Sequence, residues 1–390
     1  MQYSYALKDS VEVYKLANLD FKANGFRVDS LSEVEHGFWY SRGFAFEATG
    51  IEGRMSARNH RLNIKRMALD TEKGDFRIEG IGLHPLSTKT RNDYMSGTID
   101  TVSFTGLVYD NGISAEQFKI DRPNLHYVVA PAYWKADKEN KSTKPAGDSH
   151  IDVESILNPF FRYLSVKKVS LNSADFEWDD RNAADPVSYT LKNFNFFATD
   201  ILVDERTGKK QGWLFDYGNM GFNFSYFDNY LPGKTYRLSI KKGNFSTVKG
   251  ALSLQDIKLT PQDSLWEKAP DTYFSVSVPA LHVTGLKRLP ENPLHHLSLG
   301  TLQVDSPDIR MFKDDQLNLS VLLDKFEVDK IAWKDSSLYL GAISLLNPAV
   351  SYQPLPPKRK EKEAVSKPAS LDIYHLSLIH ISEPTRRTPI

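Results

Sequence analysis

The sequence predicts an all-β protein: an elongated, repetitive antiparallel sheet curled into a groove. Two observations carry that prediction. Apolar and polar residues alternate with period two along most of the chain, as half-buried strands require. A stretch near the start also recurs 176 positions later: residues 61–85 align without a gap on residues 237–261, with ten of 25 positions identical. A repeat of β-type segments favours an elongated array over a compact globule around one pocket.

In chain order, Leu62/Ile64 and Phe76/Ile78 are the apolar positions of two strands joined at Glu72-Lys73-Gly74-Asp75, a hairpin turn built around glycine. Asp110-Asn111-Gly112 and Arg206-Thr207-Gly208 mark further turns. Residues 135–149 form a lysine-, proline- and serine-rich connector, and about 152–164 is the one helix candidate, limited by Pro159. Alternation continues through Phe194/Phe196, Trp213/Phe215/Tyr217 and Phe222/Phe224/Tyr226. The second copy supplies Leu238/Ile240 and Leu252/Leu254, followed by Phe274/Val276/Val278, Leu297/Leu299, Leu302/Val304 and Leu338/Leu340. Forty Phe and Tyr residues and six Trp raise strand propensity further. At least 18 strands are expected, with a second long connector at 354–370.

The repeat extends beyond its core. Thr105-Gly106-Leu107 returns as Thr284-Gly285-Leu286, and Asp121-Arg122-Pro123-Asn124-Leu125 as Asp305-Ser306-Pro307-Asp308-Ile309. At an offset near 220–225, Pro123-Asn124-Leu125-His126-Tyr127 returns as Pro348-Ala349-Val350-Ser351-Tyr352.

Strands of this pattern are apolar on one face, and almost no helix is available to cover it. Serial sandwiches, a closed barrel and a curled sheet with an apolar trough are the three ways to do so, and the repeat favours the elongated ones over a single barrel. Leu62, Ile64, Phe76, Ile78, Leu238, Ile240, Leu252, Leu254, Val276 and Val278 are the candidate trough residues.

Composition narrows function by exclusion. Lysine plus arginine equals aspartate plus glutamate, at 49 each, so nothing favours nucleic acid as a partner. No cysteine is present, which removes disulfides, thiolate metal sites and cysteine nucleophiles. The adjacent His295 and His296 point to opposite faces of a strand, and the other histidines, His126 among them, show no ligand spacing. Asp179-Asp180 and Asp314-Asp315 read as solvated turn carboxylates rather than an acid/base pair. There is no phosphate loop, nucleophile elbow or zinc-protease run, so no enzyme activity and no cofactor are expected. No apolar run reaches the length of a membrane span, and Met1-Gln2-Tyr3-Ser4 opens no signal peptide.

Val276-Ser277-Val278-Pro279-Ala280-Leu281-His282-Val283-Thr284-Gly285-Leu286, followed by the strand Leu302–Ile309 with its Asp-x-Pro-x-Ile ending, resembles the large AsmA/TamB-like envelope proteins of Gram-negative bacteria, in particular the long versions of Bacteroidota. The resemblance covers about residues 40–375. It implies a repeating β-groove (a β-taco), a periplasmic body held by an N-terminal inner-membrane helix that this chain lacks, and phospholipid acyl chains as the partner moved between the two membranes. Residues 376–387 resemble a translated sequencing adapter. The expectation is therefore a fragment whose native sequence, residues 1–375, is one continuous groove, with 376–390 a non-native tail. A structural or adhesive β-repeat with a dry core is the alternative.

Overall fold

The computed structural model describes residues 2–7, 10–25, 43–56, 59–88, 93–109, 112–129, 163–181, 187–204, 216–231, 236–261, 272–286, 296–313, 316–334 and 337–354. The chain divides into a unit of residues 1–353 and a second of 354–390. Only Pro354 of the second is described, so the connector at 354–370 and the tail 376–390 lie outside the described residues, as does the connector at 135–149.

The first unit is all β. Among the described residues its 23 strands join one sheet rather than facing pairs of sheets. β1 (Gln2–Leu7), β2 (Ser10–Asn24), β3 (Gly43–Met55), β4 (His60–Asp70), β5 (Asp75–Pro85) and β6 (Tyr94–Thr105) follow one another antiparallel. β7 (Val108–Tyr109) pairs with the start of β8 (Ile113–Asp121). β8 and β9 (Asn124–Val129) divide the next place in the sheet, each lying along part of β6. β10 (Tyr163–Asp180) lies along both and is parallel to them. β11 (Val187–Asp204) follows antiparallel, then β12 (Met220–Phe224) and β13 (Tyr226–Tyr230) sharing one place. β14 (Tyr236–Ser246), β15 (Ala251–Pro261) and β16 (Thr272–Thr284) continue. β17 (His296–Asp305) and β18 (Asp308–Lys313) share β16; β19 (Gln316–Leu322) extends β18 and β20 (Lys325–Lys334) extends β17. β21 (Ser337–Tyr339) and β22 (Ile343–Leu346) pair with β20, and β23 (Ala349–Tyr352) with β19.

One expectation needs correction. The sheet is mixed, not purely antiparallel: β9 to β10 is a crossover, and parallel neighbours need a long connection where antiparallel ones need only a turn. The lysine-rich connector falls within that crossover. The helix candidate at 152–164 lies outside the described residues except for Tyr163 and Leu164, which open β10.

The repeat is exact in register. β4–β5 pairs Leu62 with Leu83 and Ile64 with Ile81; β14–β15 pairs Leu238 with Leu259 and Ile240 with Ile257. Leu107 N donates to the Gly74 carbonyl at 2.8 Å, and Leu286 N to the Gly250 carbonyl at 2.9 Å, so Thr-Gly-Leu closes the same hairpin in both copies.

Most of the long strands skip one pairing near their middle. Lys65 and Gly80 stay unpaired between Ile64–Ile81 and Arg66–Glu79, as do Lys241 and Asp256 between Ile240–Ile257 and Lys242–Gln255. Gly80 and Asp256 have φ of 62° and 51°. In each of these two skipped pairs one residue is left-handed and its partner is not, and alternation restarts one position later on both strands while register is kept. Leu62 and Ile64 therefore share a face with Met67 and Leu69. Corresponding skips at Ala17–Gly50, Gly80–Asp100 and Asp256–Pro279 line up across neighbouring strands as a crease. Where one strand gives way to the next along it, the crease passes through left-handed residues directly before proline: Arg122 (φ 47°), Ser306 (45°) and Asn347 (50°). A second crease crosses Glu116, Lys167 and Asp200. All these residues except Asn347, which lies on the exposed far edge, sit on the outward side, and every one is exposed. The tightest core lies beside the second crease, where Ala115, Val166, Ala198, Ile201 and Tyr217 are buried together against Phe104 and Phe118.

Candidate functional site

Pairing registers assemble one continuous apolar row on the inner face. It runs Leu19–Ala48–Met67–Ile78–Val102–Ile120–Leu171, each residue opposite the next on the neighbouring strand. It continues Phe196–Phe222–Phe245–Leu252–Val283–Leu302–Val328–Ile343. No polar side chain interrupts it. Strands spaced about 4.8 Å apart make fourteen such steps about 65 Å long, more than twice the roughly 30 Å of a bilayer's hydrocarbon core.

The ten predicted residues all fall on this face. Ile78 and Leu252 belong to the row itself, and Phe76 lies in the rung beside it with Leu69 and Phe104. Leu254 sits one rung nearer the crease, opposite Gly243 and Leu281. Leu62, Ile64, Leu238, Ile240, Val276 and Val278 occupy the other flank of the crease. Ile240 and Val278 are buried, at 8% exposure each; the remaining eight are half-buried.

Near β2 the two flanks enclose a recess of about 300 Å³. Leu16 and Ile51 line it from one flank, and Leu19, Phe46, Ala48 and Met67 from the other, which places the hollow on the inner side of the crease. Its volume is at the lower end of ligand cavities. Toward the strand ends the face carries aromatic side chains: Trp178 packs edge-on against Tyr127 at 5.6 Å and Tyr189 at 5.9 Å. Trp178 is 51% exposed, so this rim combines apolar rings with polar tips in contact with water.

The polar face holds the charged clusters. His126 and Asp179, remote in sequence, are brought together by the parallel β9–β10 pairing, with His126 Nε2 2.8 Å from Asp179 Oδ2. Ser188 Oγ donates to the other oxygen of Asp179. Burial works against ionisation of Asp179, but the hydrogen bonds from Ser188 and His126 outweigh it and hold its carboxyl below the usual range. The carboxylate stands between hydroxyl and imidazole, so His126 is not placed to activate Ser188 as a nucleophile. Asp228, buried on β13, is held by a forked Arg237 guanidinium and by the Tyr226 hydroxyl. Among the described residues no group of three or more His, Cys, Asp or Glu could hold a metal.

Sequence reasoning missed the creases, although a signal for them was present. Polar doublets such as Lys65-Arg66, Lys241-Lys242 and Gln255-Asp256 stand between two apolar-x-apolar triplets and mark where each strand turns. The sequence matches no protein-family model, and no curated protein matches it.

Proposed function

We propose that the inner face is a track for lipid acyl chains, and that the protein is a non-enzymatic envelope component: a periplasmic conduit or scaffold for phospholipid movement between inner and outer membranes, anchored in the inner membrane in its full-length form. The uninterrupted apolar row carries this reading. An acyl chain is chemically uniform along its length, and a row of identical character on every strand suits a ligand that slides rather than one recognised at a point. Each methylene moved from water onto it contributes roughly 0.8 kcal/mol. The hollow at the crease and the aromatic rim, where an amphipathic ring can meet a headgroup, support the same reading. Resemblance to AsmA/TamB-like proteins agrees with it.

The test is native mass spectrometry of the purified protein, which should carry phospholipid. Leu254→Asp and Ile78→Asp should remove that load while the β signal in circular dichroism persists; Ser253→Asp, on the polar face, should leave it in place. If the inward substitutions unfold the sheet and lipid is never found, the face is a dry core and the protein a structural β-repeat.

A further inference from the structure

On the opposite face, between the two creases, the sheet holds a polar cavity of about 490 Å³. Its origin lies in the register. Along β10, Lys168, Ser170 and Asn172 face outward, and Ser170 stands opposite Lys119 on β8 and Phe197 on β11. The shortest side chain thus sits at the centre of a grid of longer ones, and the grid encloses a hollow above it. Ser170 is only 8% exposed, and its Oγ has no hydrogen-bond partner. Burying a hydroxyl unpaired is costly, so such a group at the floor of a cavity points to something that completes it.

The walls indicate what that is. Asn195 Nδ2 donates to Asn223 Oδ1 at 3.0 Å, and its own oxygen accepts from Ser173 N at 2.8 Å, so the amides are held in place. Lys119 is spent on Asp121 at 2.8 Å, and Asn172 also donates to that carboxylate. Lys168 has no carboxylate partner among the described residues, and no acidic side chain lines the cavity. Phe197, 37% exposed, offers an apolar ring at the edge. A lysine without a carboxylate partner among the described residues, fixed amides, an unpaired hydroxyl and an aromatic ring match a ring-shaped, hydroxyl-rich ligand with one negative charge.

We infer that this cavity binds an acidic saccharide unit, its carboxylate on Lys168, its hydroxyls on the amides and the Ser170 hydroxyl, and its C–H face on Phe197. The site is separated from the acyl-chain track by the thickness of the sheet and stands or falls independently of it.

Amide chemical-shift titration with tri-galacturonate, neutral maltotriose and inorganic sulfate tests the inference. Tri-galacturonate should shift resonances around Ser170 and bind more tightly than either control. Lys168→Gln, an exposed position, should weaken it about tenfold and flatten its salt dependence. Ser170→Ala should weaken it while leaving thermal stability unchanged or higher, because it deletes an unpaired buried group. Absence of any shift up to about 10 mM would overturn the inference. So would equal binding of maltotriose or of sulfate, or a Ser170→Ala protein that is less stable and binds as before.

Discussion

At Gly80 the backbone has a φ of 62°, and a Cβ placed there would lie 2.8 Å from the Cβ of Lys65. Gly80→Ala should therefore lower stability by about 1–3 kcal/mol in urea unfolding. Lys330 occupies an equivalent left-handed position at φ 54° but carries a side chain, so Lys330→Gly should raise stability by roughly 1 kcal/mol. Together the pair separates backbone conformation from side-chain contacts. Protonation acts at the same scale. The carboxyl of Asp179 titrates below its ordinary value in the folded protein and near about 3.9 when unfolded. Its contribution is present above the unfolded value and is lost as pH falls through the lowered folded one. Asp179→Asn should make stability fall less steeply below about pH 4; an unchanged slope would show that the His126 and Ser188 contacts contribute nothing.

Strands here are creased elements rather than straight ones, and the polar doublet sets the phase of everything beyond it. In β14, Leu238 and Ile240 face inward before Lys241, and Gly243 and Phe245 after it. Deleting Lys241 would place Phe245 on the polar face or pull β14 out of register with both neighbours, because the side-chain period is two. The deletion should cost at least about 3 kcal/mol, comparable to losing a buried Phe. Lys241→Gln, which keeps the count, should change stability by no more than about 0.5 kcal/mol. Its ion pair with Asp256, at 3.4 Å, is exposed and contributes little.

Among the described residues of the first unit, one sheet buries few residues fully. The far edge is exposed: Leu338, Ile343, Leu345, Leu346, Val350 and Tyr352 are all at least half exposed. A flat apolar edge of this kind is a template for further strand pairing, and a formal net charge of zero supplies no repulsion against it. The protein should therefore associate with rising concentration in light scattering. Ile343→Lys with Val350→Lys should suppress that association without reducing the β content; persistence in the double variant would move the contact elsewhere.

Much of this was legible in the amino-acid order because it is local. Alternation at Leu62/Ile64 and Leu252/Leu254, the Gly74 and Gly250 turns and the matching Thr-Gly-Leu segments each depend on neighbours within a hairpin, and they determined the all-β class, the inward face and the repeat. Period-two reading fails where a skipped pair shifts the phase, since Lys65-Arg66 looks locally like an error in the pattern rather than a corner. Pairing between distant segments was decided by the tertiary structure alone. Placing β10 parallel to β8 and β9 brought His126 to Asp179 and set Ser170 between Lys119 and Phe197. It also joined Ile120 to Leu171, which makes the apolar rows of the two copies continuous. Contacts of that kind depend on which strand lies beside which, and a strand's own side chains specify only which face turns inward, not its neighbour.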